Sequence, residues 1–255
     1  MVNILTIKAF NDNYIWLIKD SQSNHCIVVD PGDAQPVLEM VKSQNLIIDA
    51  ILLTHHHSDH CDGVNELLAS QECIKVYSKA QLFPDSTLVI EGQTLDFFDH
   101  TFSLQIMEMP GHTLDHIVFY NDTLLFCGDT LFSAGCGRLF EGTPQQMHHA
   151  LNRLAQLDEQ TQVYCAHEYT QNNLIFALKV DPKNTNLIKY IKEVSKKRQH
   201  GLSTIPTSIG QEKKINPFLR CHQQDLINSL QNELAQPLRS AEECFVALRA
   251  YKDHF

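Results

Sequence analysis

The sequence predicts an α+β fold, with a strand-rich domain over residues 1–165 and a helical domain over 166–255. Three observations carry that reading. Short apolar runs closed by Gly, Pro, Asn and Asp recur through the first two thirds of the chain. Helical spacing with almost no strand signal takes over after residue 170. An unbroken apolar run, Ala50-Ile51-Leu52-Leu53, leads straight into Thr54-His55-His56-His57-Ser58-Asp59-His60. A run without alternation suits a strand buried on both faces, and the ends of such strands are where α/β sheets carry their chemistry.

Taken in order, the chain opens with strand signals at 2–7, 14–18 and 26–30, the last stopped by Pro31-Gly32. The short polar turns between them predict antiparallel hairpins. Helical spacing at 35–44 puts Val37, Leu38 and Val41 on one side. After the histidine-rich loop, a helix is predicted over 62–70 with Val64, Leu67 and Leu68 as its apolar positions. Strands follow at 74–77, 87–90, 94–98 and 102–109, the last marked by the alternation Phe102-Ser103-Leu104-Gln105-Ile106, and again at 117–120 and 123–127. Thr143 as N-cap and Pro144 in the first turn start a helix that runs to about Leu157. A strand at 162–166 ends at His167. Helical stretches at 170–200 and 223–251 are then joined by a polar segment around 201–217.

The 255 residues are 43% hydrophobic and 20% charged, an ordinary globular composition that can bury a sizeable core. No basic-then-apolar leader opens the chain and no uncharged apolar stretch is of spanning length, so the expected setting is the cytoplasm with no membrane partner. Eight cysteines without a C-x-x-C pair, several inside apolar runs, fit reduced core thiols better than a disulfide framework. The net charge of −10 is uneven. Residues 1–165 hold 7 Lys and Arg against 21 Asp and Glu, and residues 166–255 hold 13 against 9. An acidic first domain argues against nucleic acid as a partner, whereas the basic tail suits a small anionic ligand. Monomer is the expected state.

Alternation along an extended chain turns His55 and His57 to one side and His56 to the other. Asp59 and His60 follow closely enough to face the same pocket, so one loop offers two sets of ligands, as two metal ions about 3.5–4 Å apart require. Three further strand ends deliver ligand-type residues: His112 after Pro110-Gly111, Asp129 after Gly128, and His167 after Ala166. A lone histidine or aspartate there is ordinarily a hydrogen-bonded or capping residue. Four strand ends delivering them together is a different matter from a solvated histidine tract. The set divides into His55, His57, His112 and Asp59, His60, His167, with Asp129 left to bridge. His56 and His116 take no ligand position, His116 suiting a supporting role beneath the site; His148, His149, His200, His222 and His254 read as surface histidines.

The motif Thr54-His55-x-His57-x-Asp59-His60, with Gly111-His112-Thr113, Gly128-Asp129-Thr130 and Ala166-His167-Glu168, resembles the metallo-β-lactamase superfamily. The fuller string resembles its glyoxalase II branch, the hydroxyacylglutathione hydrolases: Asn13-Tyr14-Ile15-Trp16, Gly135-Cys136-Gly137-Arg138, His167-Glu168-Tyr169-Thr170, Asn216-Pro217-Phe218 and the terminal Arg249-Ala250-Tyr251-Lys252-Asp253. The likeness spans nearly the whole chain. It implies an αββα sandwich followed by a helical substrate-binding domain, two divalent ions (zinc expected, iron and manganese suited to the same donors), and hydrolysis of S-D-lactoylglutathione to glutathione and D-lactate, the second step of methylglyoxal detoxification. A metal-bridging water acidified to hydroxide would attack the thioester carbonyl. Asp59 and Asp129 are then catalytic as well as metal-binding, Asp59 orienting the nucleophile. By the same likeness Arg138, Phe140, Tyr169, Arg249 and Lys252 hold the glutathione moiety; the family often carries Tyr where Phe140 stands and sometimes Lys where Arg138 stands.

Fold and ligands do not choose a substrate, so a lactonase, β-lactamase or nuclease of the same fold is the first rival. A glutathione persulfide dioxygenase is the second, set aside because that branch lacks a helical tail like this one. A non-enzymatic metal or glutathione sensor is the third, at odds with an intact set of seven ligands.

Overall fold

The computed structural model describes residues 1–255. Three antiparallel strands, β1 (Val2–Ala9), β2 (Asn13–Asp20) and β3 (His25–Val29), are followed by α1 (Ala34–Gln44) and by β4 (Ile47–Leu52), the strand that carries the histidine motif at its end. Asp33 caps α1 by accepting from Gln35 N, and Asn45 closes it in the left-handed conformation that asparagine tolerates. Next come α2 (Ser58–Cys61), α3 (Val64–Ser70), β5 (Lys75–Ser78), β6 (Ser86–Leu88), β7 (Thr94–Phe97), β8 (Phe102–Glu108), β9 (Ile117–Tyr120) and β10 (Leu124–Gly128). The remainder is β11 (Leu131–Phe132), β12 (Gly135–Cys136), α4 (Pro144–Leu154), β13 (Gln162–Cys165), α5 (Thr170–Val180), α6 (Thr185–Gln199), β14 (Thr207–Ser208), α7 (Ile209–Ile215), a 3-10 turn at Pro217–Leu219, α8 (Gln224–Leu234) and α9 (Ala241–Asp253). The class is α+β, as expected. No helix is long and apolar enough to cross a membrane.

Two units divide the chain. The first comprises Met1–Glu108, Asp115–Asn121 and Leu125–Gly128. Its β1 to β6 form one sheet in chain order, antiparallel from β1 to β3 and parallel from β3 to β6. Strands β7 to β10 pair antiparallel in succession. The lack of alternation in Ala50–Leu53 has its predicted cause: all four residues are buried, with Ile51 and Leu53 packing into the core that Val37 of α1 and Val64 and Leu67 of α3 cover. Each such side chain contributes about 1.5–3 kcal/mol by leaving water, which fixes the end of β4.

The second unit comprises Met109–Leu114, Asp122–Leu124 and Asp129–Phe255. Thr143 and Gln146 form a reciprocal capping box at the start of α4, with Pro144 in the first turn. The helix stops at Leu154, three residues before the predicted end. The expected helical stretch 170–200 is two helices, interrupted where Asp181 precedes Pro182, a pair that disfavours helical backbone. The stretch 223–251 is likewise two. The polar segment 201–217 corrects the sequence reading most: it holds β14 and α7, and α7 buries Ile209, Glu212 and Ile215. Leu174, Ala177, Leu187, Val194 and Ile215 form a small core among α5, α6 and α7.

Candidate metal centre

In the first unit the end of β4 places four donors. His55 and His57 converge, Nε2 of the one lying 3.1 Å from Nδ1 of the other, while His56 turns away to Asp115 at 2.9 Å. His57 is the last extended residue, and α2 then turns the chain so that His60 Nε2 lies 3.5 Å from Asp59 Oδ2. A loop was expected at 58–61; a single helical turn does the work instead. Asn13 donates to Asp59 Oδ2 at 3.0 Å, fixing the carboxylate from β2.

The ring tautomers follow from hydrogen bonds on the far side. Thr54 Oγ1 donates to Asp30 Oδ2 at 2.7 Å, so His55 Nδ1, 3.0 Å from that hydroxyl, carries the proton and leaves Nε2 as a lone-pair donor. His60 Nδ1 faces Asp30 Oδ2 at 3.1 Å with the same result. Asp30 is buried, lies at φ 52°, and also accepts from Thr54 N at 2.8 Å. Sequence reasoning passed over it; the available signal was an aspartate before Pro31-Gly32 at a strand end. His116 is buried and stacks on His55 with centroids 4.8 Å apart, a supporting position.

In the second unit His112, Asp129 and His167 are buried at three strand ends. The Arg138 carbonyl can only accept, so His112 Nδ1 donates to it at 2.7 Å, and Nε2 is left facing Asp129 Oδ2 at 3.4 Å. His167 Nε2 lies 3.3 Å from the other oxygen, Asp129 Oδ1. Lone pairs of His112 aimed at a carboxylate repel unless a cation lies between them, so the donor set fits a metal. Asp129 offers one oxygen to each of two imidazoles, the geometry of a bridge. Groups of three histidine and carboxylate side chains able to hold a metal ion are present, and the fold with this donor set supports a dinuclear site.

The residues expected to touch substrate differ in character. Arg138 and Phe140 are exposed, with the guanidinium over the Phe140 ring at 5.7 Å and the ring edge-on to His112 at 5.2 Å. Tyr169 stacks on His167, centroids 4.6 Å apart. Lys252 is half-buried over Phe176 and Phe255; burial, and then Arg249, pushes its pKa down. Arg249 is only 5% exposed.

Residues 10–167 match the family model described as the metallo-beta-lactamase superfamily, which defines the class. Residues 168–255 match the model described as the hydroxyacylglutathione hydrolase C-terminus. The chain belongs to the hydroxyacylglutathione hydrolases, the glyoxalase II branch of that superfamily, and is a hydrolase. A hydroxyacylglutathione hydrolase of Psychromonas ingrahamii is 64% identical over 256 residues, and one of Photobacterium profundum 49% over 257, each covering 100% of both chains. The solved structure of ETHE1 from Myxococcus xanthus aligns over 99% of this chain and 98% of its own, with a TM-score of 0.66 at 23% identity. The BLEG-1 B3 metallo-beta-lactamase aligns over 86% and 99%, with a TM-score of 0.61 at 22% identity. These structures share the fold.

Proposed function

We propose that this chain hydrolyses S-D-lactoylglutathione to glutathione and D-lactate at a centre of two divalent ions, zinc the expected pair. The observation that carries the dinuclear reading is Asp129, whose two carboxylate oxygens face His112 and His167 separately. In this reading His55, His57 and His112 serve one ion, Asp59, His60 and His167 the other, and Asp129 bridges. Substrate class is supported by relatives named for it over their full length. We assign metal binding and catalysis to residues 1–165 and the grip on glutathione to 166–255, with Arg138 and Phe140 contributing from the first. Lys252 has no carboxylate at ion-pair distance and is the cation best placed for the substrate's own carboxylate. Tyr169, held flat against His167, offers its hydroxyl to the peptide. A cytosolic monomer fits eight free thiols.

Hydrolysis adds water across the C–S bond, giving a carboxylate, a thiol and a proton. Bound there, the ions would acidify water and polarise the thioester carbonyl. The chain's part is to hold donors still: Asn13 pins Asp59 so that its carboxylate orients the attacking water, and Asp30 and the Arg138 carbonyl keep Nδ1 of His60 and His112 protonated. No serine or cysteine nucleophile is required.

The test is loss of thioester absorbance with S-D-lactoylglutathione, with metal content read on the same sample. Turnover with close to two ions per chain is the expected result; a fully metallated protein without turnover would discard the substrate. Asp129→Ala should lose both metal and activity, and a variant that kept two ions would end the bridging assignment.

A further inference from the structure

The four residues after Ala166 sort into alternate pairs. His167 and Tyr169 lie together, their rings stacked with centroids 4.6 Å apart and planes 5° from parallel, and the Phe132 ring meets both edge-on, at 5.9 Å and 5.2 Å. Glu168 and Thr170 instead both reach one residue, Thr204, which is 1% exposed. The pairing of β13 with β14 brings it there. Val163 stands opposite Thr207 in antiparallel register, so the residues just before β14 run beside those just after β13.

Hydrogen counting fixes the direction of these bonds. Thr204 donates to the Glu168 carboxylate twice, from its amide to Oε2 at 2.8 Å and from its hydroxyl to Oε1. A hydroxyl has one hydrogen, so the 2.6 Å contact between the two threonine hydroxyls is donated by Thr170. The relay runs from Thr170 to Thr204 to Glu168, with Thr204 Oγ1 used as acceptor and donor at once. The Arg198 guanidinium lies 3.6 Å from Glu168 Oε2 while donating to the Leu202 carbonyl at 3.1 Å, which ties the end of α6 into the same corner. The Glu168 side chain is 6% exposed, so a donor lost there is not replaced by bulk water.

We infer that Thr204 is a positioning residue that sets His167 and Tyr169 as one piece, so that a metal ligand and the ring proposed to meet the substrate depend on a single buried hydroxyl. The inference rests on the dinuclear reading and on the part given to Tyr169 above. The two residues that Thr204 holds flank Tyr169, and one of them adjoins His167, so a backbone shift there displaces both stacked rings. In the sequence this threonine belongs to a polar connection, and only the β13–β14 pairing gives it a place. Loss of a partner behind a metal ligand typically costs about 10–100-fold in metal affinity or activity. Thr204 acts through a neighbour of the ligand, which puts the expected effect at the lower end.

The experiment compares wild type, Thr204→Val, Thr204→Ser and Thr161→Val for zinc affinity, by competition of metal-free protein against a chromogenic chelator, for kcat and KM of the zinc-loaded enzyme, and for thermal stability. Valine keeps the shape and drops the hydroxyl; serine keeps the hydroxyl. Thr161 is the control, equally buried at 1% exposure, its hydroxyl serving the Asp122 carbonyl at 3.1 Å. Thr204→Val should bind zinc about tenfold more weakly and raise KM several-fold, with Thr204→Ser within about twofold of wild type in both. Thr161→Val should lose stability alone. If Thr204→Val does not fold, Glu168→Gln, which keeps the shape and turns an amide toward one of the Thr204 donors, should show the same joint loss. Wild-type zinc affinity and KM in Thr204→Val, or a change in one without the other, overturns the inference however far the melting temperature falls. A zinc-loaded wild type that leaves the thioester intact would overturn the substrate instead, and zinc affinity, measured without substrate, would still decide the hold on His167. Failure of wild type to take up zinc would overturn the metal centre and this inference with it.

Discussion

Asp30 shows how one side chain can set the chemistry of two others without being a ligand. Its two oxygens accept from the Thr54 amide, the Thr54 hydroxyl and His60 Nδ1, and the hydroxyl oxygen in turn accepts the hydrogen bond that His55 Nδ1 donates. Both Nε2 atoms, ligands in the proposed centre, are therefore presented as lone pairs by one buried carboxylate. Asp30→Asn keeps the shape but replaces one acceptor by an amide donor, leaving either Thr54 or His60 badly matched. The expected effect is about tenfold weaker zinc binding with KM little changed, read by chelator competition; unchanged affinity would reduce Asp30 to a turn residue. The histidine motif was legible in the sequence because ligand types were dense at one strand end. Asp30 was not, because an aspartate before Pro-Gly is also an ordinary turn signal, and only the fold brings it beneath residues thirty positions away.

Among the elements hidden in the sequence α7 is the longest, and Glu212 explains why. Lys213, Lys214, Gln211 and Glu212 make the segment read as solvated, yet Glu212 is fully buried, accepting from Ser133 Oγ at 3.0 Å, Ala134 N at 2.7 Å, Thr207 Oγ1 at 2.8 Å and Asn216 Nδ2 at 3.0 Å. It holds the turn between β11 and β12, where Ala134 sits at φ 57°, and those two-residue strands are themselves too short to show a period. Long elements with strong spacing, such as β8 and the capped start of α4, were read correctly because local pattern and burial agree there. Burial pushes the Glu212 carboxyl up, outweighing its four donors. An acid whose folded pKa is raised binds more protons folded than unfolded, so its contribution is present below the ordinary carboxylate value and is lost as pH rises through the folded one. Glu212→Gln removes that titration. Denaturant unfolding at pH 5 and pH 8 should show the difference, wild type minus variant, shifting against wild type at the higher pH. Parallel stabilities at the two pH values would mean that the donors, not burial, set the state of Glu212.

Taken as a whole, the chain keeps its thiols inside, which is where the composition placed them. Cys26, Cys127, Cys136, Cys165, Cys221 and Cys244 are buried, Cys61 is half-buried, and Cys73 alone is exposed, in the turn between α3 and β5. Reactivity needs both access and thiolate. Burial, reinforced by Asp62, Asp30, Asp59 and Asp115, pushes the Cys61 thiol up to about 11, and burial with Asp49 pushes Cys26 up to about 12. Neither is appreciably ionised near neutrality, so access alone does not make Cys61 fast. A disulfide-forming thiol reagent at pH 7.5 should therefore titrate one rapid thiol per native chain, one slow thiol, and all eight only after unfolding. Cys73→Ser should abolish the rapid phase with the thioesterase rate unaltered, since no cysteine takes part in the proposed chemistry. Two rapid thiols in the native protein, or a rapid phase that survives in Cys73→Ser, would mean that the segment around Cys61 opens on the timescale of the reagent, and the rigid presentation of Asp59 and His60 would have to be given up with it.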